Sequence, residues 1–345
     1  MPKKSLSTTQ AQTFSQIELF RRSTLIPRNV LLALLVIVLT SACGHLAQQV
    51  NPSPDASISP VQTSVQPSGQ RVVQHAMGET LVPVHPQRVV TLDSYALEAA
   101  VALDVMPIGT SLDGVEGHLQ DQIEEIKPIG GYPPNLEQVV ALQPDLILGS
   151  AFLQEIYNQV SQIAPTVLAE FETSGDWKAV FAKFAESLGK IEISEQVMSQ
   201  YDARLEQFKR QMGDRLEQTK VSVVRIYPNY VTLYAKDIFI GTILADAGLP
   251  RPAAQDQEIP TLDISKERLQ DVDGDVIFVL IYGNNAQLQR SAEEAFNQLQ
   301  NDPLWSTLKA VQAGRVYAVP NYWLGGGPLA ANAVLDDLFN YLVEQ

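Results

Sequence analysis

The sequence predicts an α/β protein: two Rossmann-like lobes with parallel-rich sheets, joined by one long backbone α-helix. Three observations predict it. Between Arg88 and Gly149, short apolar runs alternate with helical stretches, the pattern of βαβ units and so of a parallel sheet covered by helices. A long amphipathic stretch then interrupts the series, and from Val221 the alternation resumes.

The chain begins with an export signature. Ten unbroken apolar residues, Val30 to Leu39, follow Lys3, Lys4, Arg21, Arg22 and Arg28, and precede Thr40, Ser41, Ala42 and Cys43. The run is too short for a transmembrane helix, which needs about 20 residues, and it suits a signal-peptide core. Leu39 to Gly44 resembles the lipobox of bacterial lipoproteins, in which the cysteine is acylated and becomes the first mature residue; Thr40 departs from it. A signal peptide over 1–42 and lipidation at Cys43 are therefore expected, with an uncleaved anchor helix as the alternative. Either arrangement puts the rest of the chain outside the cytoplasm. Arg21 and Arg22 also raise twin-arginine export; Leu25 fits that motif, whereas Phe20, Thr24 and Ile26 do not.

Residues 43–70 are rich in Pro, Ser, Gln and Thr with almost no charge, a composition that cannot bury enough apolar surface to fold and reads as a flexible tether. Val72 to Val84 predicts a hairpin with Gly78 near its turn. An N-terminal α/β lobe is expected over 71–172. It contains strands at Val89–Leu92, Pro107–Thr110 and Leu146–Gly149, and helices at Tyr95–Leu103 and Leu136–Leu142.

A helical segment is expected over 173–219. Asp176 to Leu188 carries Trp177, Val180, Phe181, Phe184 and Leu188 on one face. Ser194 is the expected N-cap of the backbone helix, in which Val197, Tyr201, Leu205, Phe208, Met212 and Leu216 recur every three or four residues. From 194 to 218 it would extend roughly 37 Å. The C-terminal lobe, 220–345, is expected to hold strands at Val221–Tyr227, Val276–Ile281 and Val316–Val319. Its helices are expected near Gly241–Ala247, at Ser291–Gln300 and at Leu329–Val343.

Composition excludes several classes of function. The formal net charge is −15. Removing residues 1–42 takes five basic residues and Glu18, leaving 19 basic against 38 acidic residues and a charge of −19. So acidic a surface repels nucleic acid and anionic membrane. Cys43 is the sole cysteine, so no internal disulfide forms. His45 and His75 fall in or beside the tether, and His85 and His118 alone give no metal-ligand cluster. Asp271, Asp273 and Asp275 have the wrong spacing for a calcium loop. Gly325 to Gly327 lacks the lysine of a phosphate loop, and no GxSxG elbow occurs. No catalytic machinery is visible and no intrinsic cofactor is expected.

Six segments carry a resemblance: PQRVVTL (86–92), GYPPNLEQVVALQPDLILG (131–149), IAPTV (163–167), LADAGLPRP (244–252), ISKERLQDVDGD (264–275) and DPLWSTLKAVQAGRVYAVP (302–320). In order and spacing the chain resembles the periplasmic binding proteins that serve ABC importers of ferric siderophores, haem and vitamin B12. The resemblance implies a monomeric, exported lipoprotein that captures an iron(III)-siderophore in the inter-lobe cleft and delivers it to a dimeric permease. Haem or a corrinoid is the alternative cargo, and a lipid-anchored hydrolase or redox protein a remote one. It also implies that Glu137 in NLEQ and Glu267 in SKER dock into arginine pockets of the permease, one per lobe. A carboxylate on each lobe suits that task, because it can form bidentate, charge-assisted bonds with guanidinium.

The cleft is expected where strand ends of the two sheets face each other. Its loops would be 93–95, 113–117, 132 and 150–152 in the first lobe, and 225–230, 234–239, 282–285 and 322–326 in the second. Tyr95, Tyr132, Phe152, Tyr234, Phe239, Tyr282, Tyr322 and Trp323 are the candidate ligand contacts, as aromatic rings give rigid contact area. Arg225 interrupts an apolar strand, and its guanidinium is matched to carboxylate, catecholate or hydroxamate oxygen. An edge-strand arginine, or one paired with Asp237, is the structural alternative. Trp323 could equally be a core anchor, and Trp305 is expected in the core.

Overall fold

The computed structural model describes residues 69–111, 117–283 and 286–344. The expected signal peptide, Cys43 and nearly all of the expected tether lie outside the described residues, as do 113–116 and 284–285 of the expected cleft loops.

The described residues open with a hairpin in which β1 (Gln70–His75) pairs antiparallel with β2 (Gly78–Pro83), Val73 opposite Thr80. Gly78 takes φ 111° at the turn, a conformation that costs a glycine little. Val73 and Val82 share the inward face and are fully buried.

The first lobe is a wholly parallel sheet of order β5-β4-β3-β6-β7. Along the chain come β3 (Val89–Thr91), α1 (Ser94–Ala102), β4 (Gly109–Thr110), β5 (Lys127–Pro128), α2 (Leu136–Ala141), β6 (Leu146–Ser150), α3 (Tyr157–Val160) and β7 (Thr166–Ala169). Every residue of β3, β6 and β7 is buried, which explains why these strands read as continuous apolar runs. Asp93 joins two of them. One carboxylate oxygen caps α1 at Ala96 N (2.9 Å), and the other accepts from Ser150 N (2.6 Å) at the end of β6.

Two antiparallel helices run between the lobes, a shorter one and, after it in the chain, the expected long one. The first, α4 (Trp177–Leu188), begins against the second lobe. There Trp177 Nε1 donates to Thr242 Oγ1 (3.0 Å) and Lys178 pairs with Asp246 (2.6 Å). It ends in the first lobe's core with Val180, Phe181, Phe184 and Leu188. The second, α5 (Ile191–Met212), makes the return journey over about 33 Å. Ile193 and Val197 pack on the first core, while Tyr201, Leu205, Phe208 and Met212 enter the second. Ser194 is not its cap. It lies one turn inside the helix, with its hydroxyl donating to Ile191 O (2.7 Å). The helix also stops short of 218, because Gly213 breaks it.

The second lobe has sheet order β10-β9-β8-β11-β12. Its elements are β8 (Val221–Ile226), β9 (Val231–Tyr234), α6 (Phe239–Asp246), β10 (Thr261–Ile264), β11 (Val276–Leu280), α7 (Ala286–Gln300), α8 (Lys309–Gln312), β12 (Val316–Val319) and α9 (Pro328–Leu338), closed by one wider turn at Phe339–Val343. β8, β11 and β12 are parallel, but β9 is antiparallel to both β8 and β10. Only four residues join β8 to β9, too few for a crossover, so the chain must return as a hairpin.

That reversal corrects one expectation. β9 runs away from the carboxyl ends of its neighbours, so the loop after Tyr234 leaves from the other end of the sheet and meets the start of α4, where Phe239 N donates to Ser174 Oγ (3.1 Å). Phe239 is fully buried against Trp177. Trp323 is likewise core: it is fully buried and packs on Phe278, with Nε1 donating to Asp337 (2.7 Å). Neither ring offers surface to a ligand. Trp305 is core, as its surroundings in the sequence suggest.

The lobes touch at the base of the cleft. Tyr95, after β3, lies where Gly326, after β12, has no room for a side chain. Beside it the buried carboxylate of Glu98 in α1 accepts from Ala330 N (2.7 Å), and His118 Nε2 stands 3.8 Å away. A carboxylate is costly to bury without partners; the first-turn N–H of α9 supplies one.

Candidate ligand cleft and docking face

The carboxyl ends of β3 and β6 in one lobe and of β8, β11 and β12 in the other converge on this cleft. In the second lobe Arg225 is the penultimate residue of β8 and half-buried. Its Nη2 donates to Tyr282 O (2.7 Å) just beyond β11. Its guanidinium lies 4.9 Å from the Tyr227 ring centre and 5.4 Å from that of Tyr282, distances at which cation–π attraction holds the group in place. Nε is buried without a hydrogen-bond partner.

Tyr227 stacks on Tyr230 at 4.5 Å and 12°, because the tight β8–β9 connection brings both rings to one side. Burial raises the Tyr227 phenol despite Arg225 nearby, and burial reinforced by Asp263 raises that of Tyr230. Tyr234 sits behind them, buried, its phenol pushed up to about 12 by burial against the opposing pull of Arg225. These phenols stay protonated at neutral pH and remain hydrogen-bond donors. Asp263 of β10 accepts from Thr232 Oγ1 (2.6 Å) across the ladder.

The first lobe contributes a more open aromatic surface. Tyr132 and Phe152 are 52% and 58% exposed, their rings 5.3 Å apart, and the Tyr132 hydroxyl donates to Phe152 O (3.3 Å). Large apolar rings left this exposed mark a contact surface. Tyr95 instead packs edge-on against Phe171. Tyr322 reaches His118 with its ring and Asp337 with its hydroxyl (2.8 Å), which makes it part of the inter-lobe contact.

Arg225 and Tyr282 thus come together as expected. Tyr227, Tyr230 and Asp263 complete their cluster. Both tyrosines lay in an expected loop, but Asp263 carried no signal, since the pairing of β10 with β9 is not written in its short, polar sequence.

Glu137 and Glu267 occupy equivalent positions. Each is exposed, and each is the second residue of a helical turn that follows the edge strand of its sheet, β5 in one lobe and β10 in the other. Asn135 caps α2 by accepting from Glu137 N (3.0 Å) and Gln138 N (3.2 Å). In the other lobe the Ser265 hydroxyl bonds the Glu267 carboxylate and holds its pKa below the usual range.

A two-lobed α/β body with a polar and aromatic cleft, and matched acidic residues at the cleft-side edges, defines a solute-binding protein. The chain belongs to the periplasmic binding protein family, whose model it matches over residues 89–322. It is 34% identical to a probable siderophore-binding lipoprotein of Bacillus subtilis, with 90% of this chain and 96% of the relative covered. It is 30% identical to the achromobactin-binding periplasmic protein of Dickeya dadantii, over 73% and 85% of the two chains. The crystal structure of Staphylococcus aureus SirA complexed with staphyloferrin B superposes with a TM-score of 0.70 at 29% identity, covering 79% of this chain and 98% of that one.

Proposed function

We propose that this chain is the substrate-binding lipoprotein of an ABC importer, that it captures a ferric siderophore between its lobes, and that it acts without catalysis. The Arg225 cluster carries the reading. A guanidinium held between two tyrosine rings, with a buried and unsatisfied Nε, is suited to an anionic oxygen of an iron chelate. Tyr132 and Phe152 offer an apolar surface for the chelator's organic shell. Relatives whose names specify siderophore binding, over most of their length, support the same cargo. Haem is disfavoured by His118, whose ring is buried between Glu98 and Tyr322 and unavailable as an axial ligand.

Delivery would use Glu137 and Glu267, one per lobe, against arginines of the two permease subunits. Their matched positions mean that the spacing of the two carboxylates reports the relative placement of the lobes. Export and acylation at Cys43 would keep the protein at the membrane. Calorimetric titration with a panel of ferric siderophores tests the cargo: one-to-one binding by at least one ferric chelate, and none by its iron-free form at equal concentration, is expected. Absence of binding by every ferric chelate overturns the reading.

A further inference from the structure

The charge of the cleft specifies the cargo more narrowly. Among the described residues 92–95, 129–134, 150–152, 169–172, 225–230, 281–283 and 320–326, which follow the strand ends other than that of the edge strand β10, Arg225 is the only lysine or arginine, and the turn after β10 adds Lys266 and Arg268 on either side of Glu267. The same segments carry Asp93, Glu170 and Glu172, and Asp263 stands close enough to Tyr227, Tyr230 and Tyr234 to raise all three phenols. Several other cations of the second lobe are paired or lie outside these loops, among them Arg268 with Asp271 and Lys309 with Asp275. Lys236 pairs with Asp256 (2.6 Å) and Glu258 (3.4 Å). Arg251 is buried, donating to the carbonyls of Val221 (2.8 Å) and Tyr234 (2.6 Å). Arg290 is exposed, more than a turn into α7 as counted from Ala286.

Ferric siderophores differ in charge by simple stoichiometry. Three hydroxamates, each giving one negative charge, neutralise iron(III). Two hydroxamates with a doubly ionised α-hydroxycarboxylate give a monoanion, and three catecholates give a trianion. A cleft with one available guanidinium and several carboxylates cannot compensate a trianion, and the strongly acidic chain around it repels one at longer range.

We infer that the cargo is a neutral to monoanionic ferric chelate of the hydroxamate or mixed hydroxamate and hydroxycarboxylate type, and not a triscatecholate. This rests on the ferric siderophore reading above. Arg225 supplies the one charge-assisted contact, to the monoanion's carboxylate, while neutral phenols and the exposed rings of the first lobe contact the rest.

The test titrates the full chain, purified in detergent, with ferrichrome (neutral), a ferric chelate of two hydroxamates and one α-hydroxycarboxylate (monoanionic) and ferric enterobactin (trianionic). The neutral or monoanionic complex should bind at least about 100-fold more tightly than the trianion. Arg225→Gln should weaken the monoanion by about 10- to 100-fold, the range for a lost charge-assisted bond, and the neutral complex less. Asp263→Asn, at an exposed position, should narrow the gap between monoanion and trianion by several-fold. Enterobactin binding as tightly as the others, or a gap between monoanion and trianion that is unchanged in Asp263→Asn, overturns the inference and leaves the siderophore reading standing. Failure of all three to bind, along with every other ferric chelate, removes the reading on which it rests.

Discussion

His75 lies beneath the hairpin with its ring partnered on both sides. Nδ1 accepts from Met77 N (3.3 Å) and Leu168 N (3.4 Å). The Thr80 hydroxyl, donating to Thr166 O (3.1 Å), receives the Nε2 proton at 2.9 Å. These partners select the neutral ring, because a proton on Nδ1 would face two N–H donors, and burial also lowers the pKa below the ordinary value of 6.5. As pH falls below about 6.5 the unfolded chain takes up the proton before the folded one. Stability is therefore held in full above that pH and lost as pH falls toward the depressed folded value. Melting measured from pH 7.5 to 5 should decline, and His75→Asn, whose side-chain oxygen can accept in place of Nδ1, should flatten the decline; an equal slope in the variant would refute the role. Nothing in the sequence singles out His75, since its burial depends on β7, far along the chain, from which Leu168 N reaches Nδ1. Arg225 was legible for the opposite reason: a charge inside an apolar strand needs a local purpose. Phe239 and Trp323 look like Tyr282 as linear text, and only the side of the sheet on which they fall separates core from cleft.

At the scale of elements, β3, β6, β8 and β11 are readable because burial on both faces demands continuous apolar runs. β9 and β10 are not, as strand direction leaves no mark in composition and the edge strand β10 tolerates polar residues. The outermost strands lead to the proposed docking residues. In each lobe the outermost strand is followed by a helical turn whose second residue is Glu137 or Glu267, after residues 129–135 in the first lobe and directly after Ser265 in the second. An N-terminal helical turn favours an ionised carboxylate; Asn135 caps the turn in one lobe, and in the other the Ser265 hydroxyl bonds the Glu267 carboxylate itself. Both glutamates stand apart from the Arg225 cluster. The double variant Glu137→Ala, Glu267→Ala should abolish uptake of radiolabelled ferric chelate by cells while changing its dissociation constant by less than about twofold. Transport at the unmodified rate would sink the docking assignment, and a large loss of affinity would contradict the separation of the two surfaces.

Across the whole molecule, the residues proposed for capture, delivery and attachment fall on separate parts of the chain. Two helices cross between the lobes, α4 anchored by Trp177 and Lys178 on α6, and α5 entering both cores. With Glu98 tied to α9, this construction holds the lobes at a set spacing, so ligand and permease can meet preformed surfaces with little cost of rearrangement. Cys43 precedes Gln70, where the first strand begins, by 27 residues of sequence. Its proposed acylation would act through concentration alone: a receptor confined to the membrane meets the permease at a far higher effective concentration than one free to diffuse away. Cys43→Ser should therefore move the protein from the membrane fraction to the soluble one, leave the ferric chelate's dissociation constant unchanged, and slow uptake at low ligand concentration. Added excess of the soluble variant should restore the rate, as mass action requires. If the variant stays with the membrane, or binds its ligand differently, attachment and capture are not the independent functions that this division assigns.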